Sequence, residues 1–176
     1  MTFYKEGLAT LAEFLYAARQ AQARAGGPGT AAGRRAFQQS LVSQFNHGYA
    51  GKDGFWTVAP SNPTPWELFG TPNTYLRPGI SYIALRQILG HASFISALVQ
   101  IQRQYGGGSI TEPQLEAAFA RWLPNRSAAC TSRLGQFFRQ WFDTAYPAGG
   151  GANRPHITGP GLAGPGFYTA ACTRPG

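Results

Sequence analysis

The chain has 176 residues and a mass of 18.9 kDa, enough for one domain that buries about 70% of its extended surface without staples. A hydrophobic share of 43%, with 12 Phe, 8 Tyr and 4 Trp, excludes wholesale disorder. The net charge of +8 favours anionic surroundings, but apart from Arg34-Arg35 the arginines are scattered singly, so a nucleic-acid footprint is not expected. No apolar run of membrane-spanning length and no secretory signal is visible, so no membrane partner is expected either, and localisation stays open.

The periodicity predicts an all-α body of about six helices. Leu8, Leu11, Ala12, Leu15 and Ala18 recur at helical steps over 5–25, and Gly26-Gly27-Pro28-Gly29 stops the run. Thr30 can cap a second helix with Phe37, Leu41, Val42 and Phe45 on one face. From Trp56 to Pro72 four prolines predict an extended loop, which Trp56, Trp66 and Phe69 should hold against the body. Pro78 suits the first turn of a helix ending at Gly90, and a hairpin leads into a helix over 92–105 that stops at Gly106-Gly107-Gly108. Thr111-Glu112-Pro113-Gln114 reads as a capping box for a helix ending at Pro124. A last helix over 131–146 carries Phe137, Phe138, Trp141 and Phe142 on one broad face that needs a cover. Residues 1–146 thus form the body and 147–176 a Gly/Pro-rich tail, with a short extended piece expected near Ile157 or Phe167.

Complete catalytic kits are absent from the sequence: no nucleophile elbow, no phosphate-binding loop, and no two histidines at helical metal spacing among His47, His91 and His156. Cys130 and Cys172 lie too far apart for a chelating pair, leaving either one disulfide or two buried thiols. Acidic residues are scarce, which singles out Glu6 and Glu13. Their spacing of seven puts both carboxylates on one helix face with Thr10 between them, as in a solvated helix edge or a site. Tyr75 precedes a helix start, where its hydroxyl can project or its ring can pack.

Lys5-Glu6-Gly7-Leu8-Ala9-Thr10-Leu11-Ala12-Glu13 resembles the segment that follows the H-E-x-x-H helix in gluzincin peptidases of the aminopeptidase N and leukotriene A4 hydrolase family. Thr74-Tyr75-Leu76-Arg77-Pro78-Gly79 resembles that family's Y-x-K/R-G-A segment. The capped Thr111 helix and Phe137-Phe138-Arg139-Gln140-Trp141-Phe142 follow in the family's order. The resemblance implies the helical lobe of a thermolysin-like catalytic domain, with zinc as cofactor and a peptide as substrate. Glu6 would be the third zinc ligand, Glu13 a carboxylate orienting a ligand from behind, and Tyr75 the donor to the oxyanion.

The sequence departs from the family in three respects. The H-E-x-x-H helix, which supplies two histidine ligands and the general base, is lacking, as is the G-x-M-E-N strand; Pro78 stands where the family has Gly. The expectation is therefore a partial metallopeptidase, a fragment whose partner is the missing N-terminal catalytic half and which is inactive alone. The alternative is a non-catalytic helical interaction module, whose exposed apolar patch would bind hydrophobic dyes.

Overall fold

The computed structural model describes residues 2–44, 54–147 and Cys172. Six α-helices account for most of them, and no strand occurs among the described residues. They are α1 (Thr2–Arg24), α2 (Ala31–Ser43), α3 (Arg77–Leu89), α4 (His91–Tyr105), α5 (Glu112–Ala120) and α6 (Ala128–Phe138). A π-helical turn, Thr71–Leu76, leads into α3, and a π-helical extension, Arg139–Asp143, ends α6. Among the described residues no single helix is long and apolar enough to cross a membrane.

The helix starts follow local chemistry. The Thr30 hydroxyl accepts from Gly33 N at 2.9 Å, and the Ser127 hydroxyl accepts from Cys130 N at 3.2 Å. The Ser127 cap starts α6 three residues before the expected Thr131. At α5, Thr111 N donates to Gln114 Oε1 at 2.8 Å, the returning half of the capping box. Gly90, at φ 80°, ends α3, and the chain turns there by 119° into α4.

Helix α3 is the axis of the fold. Arg77 through Leu85, Ile88 and Leu89 are all buried, as expected of a helix apolar on every side and wrapped by others. Helix α1 lays Phe3, Gly7, Thr10, Leu11, Phe14 and Ala18 against α2, α3 and the Thr71–Leu76 turn. On the opposite side an aromatic chain fills the core. Phe94 stacks on Phe119 at 5.8 Å, Phe138 meets Phe142 at 5.2 Å, and Phe3 meets Phe142 at 5.0 Å. Pairs of this kind each contribute about 0.5–1.5 kcal/mol beyond their area. The face expected to need a cover, Phe137 to Phe142, is thus covered by α1, α3 and α5.

The segment before the Thr71–Leu76 turn differs from expectation. Residues 54–69 form successive turns rather than an extended loop, and only their first part packs. Phe55 and Trp56 are buried, while Trp66 is 95% and Phe69 67% exposed. The reason lies in hydrogen bonding. Tyr146 N donates to Trp56 O at 2.8 Å and Ser61 N to Phe142 O at 3.0 Å, pinning 56–61 to the end of α6. Trp66 and Phe69 lie beyond those bonds. A Cys130–Cys172 disulfide ties the 147–176 segment to the first turn of α6, deciding between the two readings of the cysteines. Phe45, Ile157 and Phe167 lie outside the described residues.

Candidate functional site

Glu6 and Glu13 stand on the same flank of α1. At about 100° per residue they are about 20° apart around the helix, and each is roughly 100–120° from the centre of its buried face. Glu6 is half-buried and Glu13 exposed, while Thr10 between them is turned inward. Tyr75 is half-buried in the π-helical turn, which packs directly against α1.

The closest approach in this region runs through glycines that belong to the two motifs. A Cβ added at Gly7 would sit 2.5 Å from Pro78 Cβ and 2.9 Å from Tyr82 Cε2. One added at Gly79 would sit 2.8 Å from Thr10 Cγ2. Both positions need glycine because two backbones meet there. The residue after Glu6 thus touches the residue three after Tyr75, and α1 is locked to the start of α3 at the height of the candidate ligand. Pro78 completes this seam: it occupies the first turn of α3, where its missing N–H costs nothing, and its ring is the surface against which Gly7 packs.

Arg77, in the same motif, has a structural task that sequence reasoning missed. It is fully buried. Its Nη1 donates to the carbonyls of Val58 at 3.1 Å, Trp56 at 3.3 Å and Phe55 at 3.5 Å; its Nη2 donates to Gln140 O at 2.9 Å and Thr144 O at 2.6 Å. Two of these carbonyls, of Gln140 and Thr144, lie at the end of the last helix, and Gln140 O also accepts from the Tyr146 hydroxyl at 3.3 Å. The guanidinium lies 5.1 Å from the Trp56 ring and 5.5 Å from the Tyr146 ring. Burial lowers its pKa to about 10, opposed by Tyr146 and Asp143. It stays charged at neutral pH and staples 55–58 to the end of α6. A lone arginine beside Pro78 carries no sequence signal for that role.

A carboxyl pair was likewise missed. Glu112, first residue of α5, stands near Asp143 at the end of the π-helical extension. Burial first, then the side chain of Asp143 and the charge of Glu116, push its pKa up to about 8. Glu112 is therefore mostly protonated at neutral pH. Nearby, Glu116 and Arg139 reach across Gly135, where a Cβ would lie 3.1 and 3.4 Å from their tips. The Tyr82 hydroxyl is fully buried with no hydrogen-bond partner among the described residues, and burial raises its pKa well above the usual value.

Zinc has no complete site among the described residues. No group of three or more His, Cys, Asp or Glu converges there. The one described histidine, His91, opens α4 next to Arg86 and not beside Glu6; His47 and His156 lie outside the described residues. A cavity of about 520 Å³ lies between the start of α1, at Tyr4, Lys5 and Leu8, and the Gly106–Ile110 turn. By helical geometry it borders the flank of α1 opposite Glu6 and Glu13, so it is not part of their site. Comparison with known protein families, curated proteins and solved structures returned no match.

Proposed function

We propose that this chain is the helical lobe of an aminopeptidase-like zinc metallopeptidase, inactive alone. In that reading Glu6 is the third metal ligand, Glu13 orients a ligand, and the Tyr75 hydroxyl donates to the oxyanion formed from a scissile peptide bond. One observation carries the reading. The two motif segments, distant in sequence, meet through their own residues, Gly7 against Pro78 and Thr10 against Gly79. This seam fixes the helix of Glu6 beside the turn of Tyr75, as a shared site requires.

A catalytic zinc needs three protein ligands. Among the described residues one carboxylate stands at the site, so they do not fit the metal by themselves, and in this reading the two histidines and the general base come from another segment of a longer protein. A chimaera tests the reading: the H-E-x-x-H half of a catalytic domain from the same peptidase family, fused ahead of residue 1. The expected result is chelator-sensitive hydrolysis of an aminoacyl anilide, lost in Tyr75→Phe, with zinc lost in Glu6→Ala. A folded chimaera that retains zinc without Glu6, or turns over without the Tyr75 hydroxyl, would refute it.

The exposure of Trp66 and Phe69 favours a second reading, a non-catalytic interaction module. Under it the intact chain binds hydrophobic dye and Trp66→Ala removes most of that binding; a chain that binds no dye excludes it.

A further inference from the structure

The fold gathers cations that the sequence scatters. Arg19 of α1 and Arg86 of α3 both lie over the ring of Phe37 in α2, their guanidinium carbons 5.2 and 5.9 Å from its centroid. Arg86 Nε donates to His91 Nδ1, at the start of α4, at 3.0 Å. That bond fixes the imidazole as the neutral tautomer whose Nε2 carries the proton. Phe37 is buried and Arg86 half-buried, whereas Arg19 and His91 are exposed, so four helices build the cluster and it remains open to solvent.

Among the described residues no carboxylate pairs with it. Arg19 Nη1 donates to Gln22 Oε1 at 2.7 Å, and among the described residues no hydrogen bond from either arginine reaches a carboxylate. Burial lowers the pKa of Arg86 and Arg19 lowers it further; His91 is lowered by burial, then by Arg86 and Arg19. The charged groups acting on these side chains are one another, a repulsive arrangement that an incoming anion relieves. The place is also the positive end of a fifteen-residue helix with no side-chain cap at Gly90.

We propose that Arg19, Arg86 and His91 form a binding site for a phosphoryl group, held as a phosphate monoester dianion between the two guanidinium groups. The donors decide the class. Two forked guanidinium groups and an imidazole N–H offer more donors than the two oxygens and single charge of a carboxylate can use. The three free oxygens and nearly two charges of a phosphate monoester match them. The site is about 20 Å along α1 from Glu6, so it is independent of the peptidase reading.

The test is calorimetric titration with inorganic phosphate and with glycerol 3-phosphate, alongside sedimentation with phosphatidate-containing vesicles. Arg86→Gln should weaken phosphate binding roughly tenfold or more and Arg19→Gln severalfold, while Arg126→Gln, an exposed arginine elsewhere on the surface, leaves it unchanged. Arg19 is exposed, so Arg19→Gln remains decisive should Arg86→Gln misfold. Binding of glycerol 3-phosphate places the phosphoryl group on a soluble ligand; vesicle binding alone, lost in Arg19→Gln, places it on a lipid headgroup. Equal weakening by Arg126→Gln means generic attraction to a +8 protein and overturns the proposal, as does the absence of any Arg19-dependent binding to either probe.

Discussion

Arg77 is fully buried and holds five backbone carbonyls, whereas Tyr75, two residues earlier in the same motif, stays half exposed in the turn that faces α1. One segment thus serves two ends: its arginine anchors the interior, while its tyrosine stays partly open to solvent. The contrast separates a residue that holds the fold together from one on which the fold does not depend, and substitutions along the segment test that separation directly.

The largest effect belongs to Arg77→Met, which removes the donor shared by the carbonyls of Val58, Trp56, Gln140 and Thr144; Trp56 O and Gln140 O keep a bond from Tyr146, while those of Val58 and Thr144 lose the guanidinium. A loss of about 3–5 kcal/mol is expected, a large share of a total near 5–15 kcal/mol, so the thermal midpoint by circular dichroism should fall far below that of the parent chain. Arg77→Lys should recover less than half of it, because an ammonium cannot span both carbonyl sets as a planar fork does. An Arg77→Met chain as stable as the parent would break the comparison.

Gly7→Ala comes next. The added methyl collides with Pro78 and Tyr82 at the seam, and the expected cost is about 1–3 kcal/mol in urea denaturation. In the chimaera the same change should displace α1 and reduce turnover more than stability, since the seam sets the position of Glu6 relative to Tyr75.

The carboxyl pair predicts a pH dependence. Folding raises the pKa of Glu112 from 4.5 to about 8, so the folded chain binds a proton that the unfolded chain has released. Its stabilisation is fully present below pH 4.5 and is lost as pH rises through about 8. Denaturation midpoints should therefore fall across that window, and Glu112→Gln should flatten the slope. An unchanged slope in that variant would assign the dependence to other groups.

The smallest effect is that of Tyr75→Phe: within about 0.5 kcal/mol of the parent chain, the range of surface substitutions, because the tyrosine is half exposed and lies outside the aromatic core. A loss comparable to that of Arg77→Met would place Tyr75 among the structural residues and erase the distinction.

The helices were legible in the sequence because their signals are local: Thr30, Thr111 and Gly90 act within one turn of where they stand. The burial of the last helix was legible too, since it carries a broad aromatic face, whereas the burial of α3 on every side, Arg77 and Ser81 included, was not. What stayed hidden depends on chain folding back on itself. The carbonyls that Arg77 gathers come from two remote segments and carry no side-chain signature, and Arg19 and Arg86 look isolated until α1 and α3 both close on Phe37. Trp66 and Phe69 misled for a related reason: past Ser61 the stretch is held by its backbone, through bonds from Asn73 and Thr74 to the carbonyls of Glu67 and Leu68, and the two rings on either side are left outside. For the candidate site, Glu6, Glu13 and Tyr75 were singled out by motif alone, while the Gly7–Pro78 seam that joins their segments needed the fold.

Zinc titration of the purified chain by calorimetry, with Glu6→Ala as control, tests most directly whether this is a lobe that holds only part of a metal site. The account predicts no tight binding and no difference between the two proteins. Tight one-to-one binding that Glu6→Ala abolishes would mean that other residues of this chain complete the site, and would contradict it.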